Sequence, residues 1–122
     1  PVHGYMKGFI DLVFEHAGRF YLVDYKSNWL GETVEAYHPD ALQQVMAREV
    51  YYLQYVIYTL AMHRYLRLRL PGYHYERHFG GVLYLFVRGI DATTSHGIFR
   101  DRPTYSLVEA LDTYLETGSR RS

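Results

Sequence analysis

The stretch Tyr5–Lys26, YMKGFIDLVFEHAGRFYLVDYK, decides how the rest of the chain is read. Two runs rich in aromatic and branched residues, Tyr5–His16 and Arg19–Lys26, flank Ala17-Gly18, the pattern of a β-hairpin with a tight turn. A two-residue loop pairs His16 with Arg19, and the register then carries Asp11 to a place directly opposite Asp24. Side chains alternate along a strand, so Asp24 and Lys26 point the same way. The other face of the hairpin collects Ile10, Leu12, Phe14, Tyr21, Val23 and Tyr25, an apolar surface expected to be the one that helices cover.

Downstream, Ser27–Pro39 carries Asn28, Gly31 and Pro39 among polar residues and reads as a loop, with Asp40 placed to cap the next helix. Ala41–Leu70 holds neither Gly nor Pro, and Leu53, Val56, Ile57, Leu60, Ala61 and Leu68 recur at helical spacing. A break is expected near Arg48-Glu49, because the apolar stripe restarts on a different face at Tyr51-Tyr52. Pro71-Gly72 ends this segment. Gly80–Arg88, GGVLYLFVR, is apolar enough for a strand covered on both faces. Asp91–Pro103 reads as a polar loop, and Ser106 with Glu109 three places on opens a last helix. The order strand, strand, long helix, strand, helix predicts a small α/β domain, helices packed on a mixed sheet.

Composition agrees with a single domain spanning 1–122. The chain has 122 residues, 48% hydrophobic and 17% aromatic, long enough to bury a core without staples. It has no Cys, which excludes disulfide frameworks, Cys-ligated zinc and thiol catalysis. Thirteen basic residues balance thirteen acidic ones, so a polyanionic partner would need a local patch. No apolar run approaches the roughly 20 residues that cross a bilayer. A soluble, cytoplasmic protein is the expectation, and a start at Pro1 suggests a piece of something longer.

Two like charges opposed on neighbouring strands destabilise a sheet, and a cation between them relieves the repulsion. Two carboxylates with open coordination positions suit Mg²⁺ or Mn²⁺, which prefer oxygen and keep waters for exchange with phosphates. A lysine beside such an ion can orient a water and stabilise charge on phosphorus. From spacing alone, an exposed Asp24–Lys26 ion pair with a solvated Asp11 fits equally well.

Four blocks change that balance: GFIDL from Gly8, LVDYKSNWLG from Leu22, LQYVIYTLA from Leu53 and HFGGVLYLFVRG from His78. In this order they resemble the nuclease domain at the C-terminus of RecB-type helicase–nuclease subunits, members of the PD-(D/E)xK superfamily. The resemblance runs from about Gly4 to Pro103. It implies a restriction-endonuclease-like α/β core, a mixed sheet flanked by helices. It also implies metal-dependent deoxyribonuclease activity in double-strand-break repair and recombination. Asp11 and Asp24 are implied as metal-binding carboxylates for Mg²⁺ or Mn²⁺, the Tyr25 main-chain carbonyl as a third ligand, and Lys26 as the catalytic lysine. Gln54 and Tyr58 match the family's Q-x-x-x-Y motif, which helps to position the active site and DNA. Implied partners are single strands of DNA, RecC-like and RecD-like subunits, and RecA. The family's core also has a helix upstream of the first catalytic strand, with a metal-binding His; this chain is expected to lack it, and His3 does not match that position.

The alternative is a domain of the same fold that docks RecA or partner subunits without chemistry. A third reading, DNA binding without hydrolysis, predicts metal-independent affinity with a steep salt dependence. Other features have plainer readings. His74 and His78 follow Pro71-Gly72 too closely for a settled zinc-binding helix, and most of the fourteen Tyr fall at core spacing. Arg64, Arg67 and Arg69 suit phosphates or a helix C-terminus equally.

Overall fold

The computed structural model describes residues 10–121, with side chains described through residue 118. Strands β1 (Leu12–His16) and β2 (Arg19–Lys26) form the expected antiparallel hairpin, with His16 opposite Arg19 and Leu12 opposite Val23. The turn is made by Ala17 and Gly18, both at positive φ, the conformation that matches strand twist in two-residue hairpins. The portion of the first strand expected over Tyr5–Phe9, and His3, lie outside the described residues.

A 3₁₀ turn at Val34–Tyr37 leads into α1 (Pro39–Arg48), and α2 follows at Tyr51–Arg69. The expected break lies between them, where Val50 takes a left-handed φ of 60°. Asp40 is not the cap of α1. His38 is: its Nδ1 accepts a hydrogen bond from the Ala41 N–H at 3.3 Å, because Pro39 takes the first helical position and leaves Asp40 inside the first turn.

After α2, a single turn α3 (Tyr75–His78) precedes β3 (Phe79–Phe86). The segment expected as a loop contains a fourth strand, β4 (Ile98–Asp101), and the chain ends in α4 (Tyr105–Arg121). Its N-terminal cap is Thr104, whose Oγ1 accepts from the Leu107 N–H at 3.3 Å, and not Ser106. The sheet has four strands in the order β1-β2-β3-β4. Its central pair, β2 and β3, is parallel, and both outer pairs are antiparallel. This mixed α/β arrangement is compatible with a restriction-endonuclease-like fold.

Leu22, Val82, Tyr84 and Phe86 pack with Leu42 and Met46 of α1 and Tyr55, Met62 and Leu66 of α2. The helices therefore cover the face that carries Leu22 and, by alternation, Asp24, not the face expected from the hairpin. On that second face Leu12 is 42% and Tyr25 49% exposed. The middle of β2 is apolar on both faces, so alternation alone cannot choose the covered one. β3 differs in the same way from its expectation: Phe79, Val82, Tyr84 and Phe86 are buried, while Leu83 and Leu85 are half-buried. Between Phe20 and Tyr21 the register to β3 slips by one residue. Gly80 occupies that bulge, and a Cβ there would stand 2.3 Å from the Tyr21 ring.

Candidate functional site

The hairpin register brings Asp11, just ahead of β1, beside the C-terminal end of β2. Its Oδ2 accepts a hydrogen bond from the Tyr25 N–H at 2.8 Å, which fixes an otherwise exposed carboxylate against the neighbouring strand. Asp24 is 7% exposed, and Lys26 Nζ lies 2.6 Å from its Oδ2. That contact is a close ion pair, and the Asp11 carboxyl acts on the same group from the neighbouring strand. Burial raises the Asp24 pKa; Lys26 opposes the rise and Asp11 adds to it. Two carboxylates against one ammonium leave the group with a net negative charge.

Lys26 is held in place from above. Its Nζ lies 4.2 Å from the centroid of Tyr51, at the start of α2, and 5.4 Å from that of Tyr84. Tyr84 stands opposite Asp24 on the parallel strand pair, and its hydroxyl donates to Gln54 Oε1 at 2.5 Å. Gln54 Nε2 in turn donates to the Tyr58 hydroxyl at 3.1 Å. The structure thus joins Gln54 and Tyr58 to the Asp24 strand through Tyr84. Tyr84 and Tyr51 escape sequence reasoning, since a Tyr within an apolar strand or at a helix start carries no motif.

The loop after β2 is pinned to the same end of the sheet. The buried Tyr37 hydroxyl accepts from the Leu30 N–H at 3.0 Å and donates to the Asn28 carbonyl at 3.3 Å. Gly89 makes room for that ring, since a Cβ there would lie 2.0 Å from Tyr37 Cγ. Arg88 Nε donates to the Ser27 carbonyl at 2.7 Å.

The donor set is oxygen-rich and hard. Asp11 keeps one oxygen free of the Tyr25 N–H, and the buried Asp24 carboxylate, whose charge only Lys26 offsets, lies beside it, a combination that fits Mg²⁺ or Mn²⁺. His74 and His78 do not form a metal site together, because His78 Nδ1 turns back to the His74 backbone N–H at 3.0 Å. Arg64 and Arg67 are committed to Asp112 on α4, and Arg69 lies over the Tyr65 ring, which favours their structural reading over phosphate contact. No helix among the described residues is long and apolar enough to cross a membrane.

No protein-family model matches the chain. Curated relatives do. The RecBCD enzyme subunit RecB of Escherichia coli is 55% identical over 112 residues, 91% of this chain. That of Haemophilus influenzae is 51% identical over 111 residues, also 91% of the chain, and that of Mycobacterium tuberculosis is 42% identical over 130 residues, covering all of it. The chain spans only 9 to 12% of the length of these relatives. Identity of this level across nearly the whole chain, on an α/β core of the expected kind, places it in the RecB family, where it matches one segment of those subunits.

Proposed function

We propose that this chain is a metal-dependent deoxyribonuclease domain, hydrolysing phosphodiester bonds of DNA single strands within a RecBCD-type helicase–nuclease that acts in double-strand-break repair and recombination. One observation carries the reading: Asp11 and the buried Asp24 meet at one end of the sheet with Lys26 clamped beside them. An opposed pair of carboxylates at a strand end costs stability, and a cation held between them would relieve it.

Asp11, Asp24 and the Tyr25 main-chain carbonyl would hold Mg²⁺, with Mn²⁺ as a substitute. When bound, the ion supplies charge neutralisation on the phosphate and lowers the pKa of a water. Lys26 is the catalytic lysine: its ammonium, released from Asp24, orients the attacking water or donates to the phosphate oxygen that gains charge. Tyr51 and Tyr84 restrict where that ammonium can go. Gln54 and Tyr58, locked to the sheet through Tyr84, position the site and the strand of DNA. RecC-like and RecD-like subunits and RecA are the proposed protein partners. Docking of RecA or subunits without chemistry remains the competing role, and the intact Asp11, Asp24 and Lys26 set argues against it.

Mn²⁺ binding, read by calorimetry and paramagnetic resonance on the wild-type chain and Asp24→Asn, tests the reading. Saturable binding lost in the variant is expected, followed by Mg²⁺-dependent degradation of single-stranded DNA that Lys26→Ala removes. A folded chain that takes up no Mn²⁺ would overturn it for this segment.

A further inference from the structure

A second polar group lies further along α2, where that helix meets α4. His63 is 3% exposed, and its Nδ1 is 2.7 Å from the Tyr73 hydroxyl. Its Nε2 is buried with no hydrogen-bond partner, and the nearest carboxylate oxygen, Glu109 Oε2, is 4.0 Å away. Asp112, one turn beyond Glu109, is 4% exposed. One ligand atom from each of His63, Glu109 and Asp112 falls within 4.8 Å of the others.

We infer that His63, Glu109 and Asp112 form a binding site for a single divalent transition ion of the Zn²⁺ type, separate from the Asp11–Asp24 pair. The donor set decides the class. An imidazole nitrogen with two carboxylates suits Zn²⁺ and its borderline neighbours better than Mg²⁺. The Tyr73 hydroxyl can accept from Nδ1–H, and that tautomer leaves the Nε2 lone pair aimed at the carboxylates, the orientation that metal-ligating histidines are given by such partners. In the other tautomer an Nε2–H would face Glu109 Oε2 at 4.0 Å, too far for a hydrogen bond, so in either form the buried Nε2 is left without a partner.

Room and charge are consistent with an ion. A cavity of about 350 Å³ lined by Tyr73, Tyr75 and Tyr105 adjoins His63 and Glu109, leaving space for water or a further ligand. The Glu109 side chain is 45% exposed and shares a hydrogen bond with Tyr105, which it would exchange for the ion on closing the gap to Nε2. Arg64 and Arg67 hold one oxygen each of Asp112, at 2.5 and 3.0 Å, but a carboxylate has further lone pairs. Arg67, with a side chain 48% exposed, can withdraw into solvent when a cation arrives.

The test uses the full chain carrying Asp24→Asn, which removes the other acidic pair, so its outcome does not depend on the nuclease reading. Zn²⁺ is titrated by calorimetry and Co²⁺ by visible absorption. One ion per chain is expected, with Co²⁺ showing the d–d bands of a low-coordinate nitrogen and oxygen site. Glu109→Gln should weaken binding about tenfold or more, and Arg67→Gln should tighten it, which a nonspecific surface site would not do. Glu109 is partly exposed, so that variant is expected to fold where a His63 substitution could fail, and circular dichroism checks this. A folded Asp24→Asn chain that binds neither ion, or binds both unchanged after Glu109→Gln, overturns the assignment.

Discussion

Asp24 and Tyr84 stand directly opposite one another on the parallel pair β2 and β3, and from there the Tyr84 hydroxyl reaches Gln54 on α2. This single cross-strand pair links a carboxylate on the hairpin to a helix that follows it by some thirty residues. It ties a Q-x-x-x-Y spacing on a helix to the end of the sheet that carries the carboxylates.

Asp24 yields a pH-dependent prediction. Its pKa is raised in the folded chain, chiefly by burial, so protonation favours the fold. The stability it contributes is present below its ordinary pKa of 3.8 and is lost as pH rises through the folded value. Asp24→Asn removes that dependence. The melting temperature of the variant relative to wild type, both without metal, is expected to climb as pH increases above about 4 and then level off. A difference that is flat with pH would contradict it. Saturating Mg²⁺ should raise the wild-type curve and leave the variant unmoved.

Lys26→Ala separates binding from chemistry. The ammonium is not a metal ligand, so Mn²⁺ affinity should be kept or slightly increased as Asp24 loses its ion-pair partner. The rate of DNA hydrolysis should fall by about 10² to 10³, the usual loss for one preorganised donor to a developing charge. Single-turnover kinetics at saturating metal measure it.

Tyr84→Phe detaches Gln54 from the sheet while keeping the ring beside Lys26. Burial pushes the Tyr84 phenol well above its ordinary pKa, so it is a donor at every working pH. Losing that hydrogen bond should cost about 1 kcal/mol in urea unfolding. Hydrolysis should drop more through weaker DNA affinity than through kcat, because the deletion touches Gln54 and Tyr58 rather than the carboxylates.

Asp112→Asn tests the clamp between α2 and α4. Burial pushes the Asp112 carboxyl up, but Arg64 and Arg67 outweigh it and hold the pKa below the ordinary value. The resulting stability is present above that value and is lost as pH falls through the folded one. With both arginines partly exposed, the substitution should cost about 1 to 2 kcal/mol at pH 7, and the loss should shrink in acid. Chemical unfolding at pH 7 and pH 3 checks both.

Much of this was legible in one dimension. Period-two alternation and a turn that tolerates positive φ at Ala17-Gly18 define the hairpin register, which runs to Leu12 opposite Val23 and leaves Asp11 just beyond it, beside Asp24 and Tyr25. A stripe restarting on another face marks the break at Val50. These are local properties, set by residues a few positions apart. What covers β2, by contrast, depends on its parallel pairing with β3, which lies beyond three intervening helices, and no local period encodes which apolar face that pairing buries. The same holds for β4, a short strand whose Ile98–Asp101 is too brief to show a pattern and becomes one only by adding to the edge of β3. Tyr84 over Asp24, Tyr51 over Lys26, and His63 among the carboxylates of α4 are likewise products of packing. Sequence by itself determined which groups carry charge and how the hairpin aligns them; tertiary structure alone decided which are buried and therefore which have shifted pKa values, because desolvation requires neighbours that only the folded chain supplies.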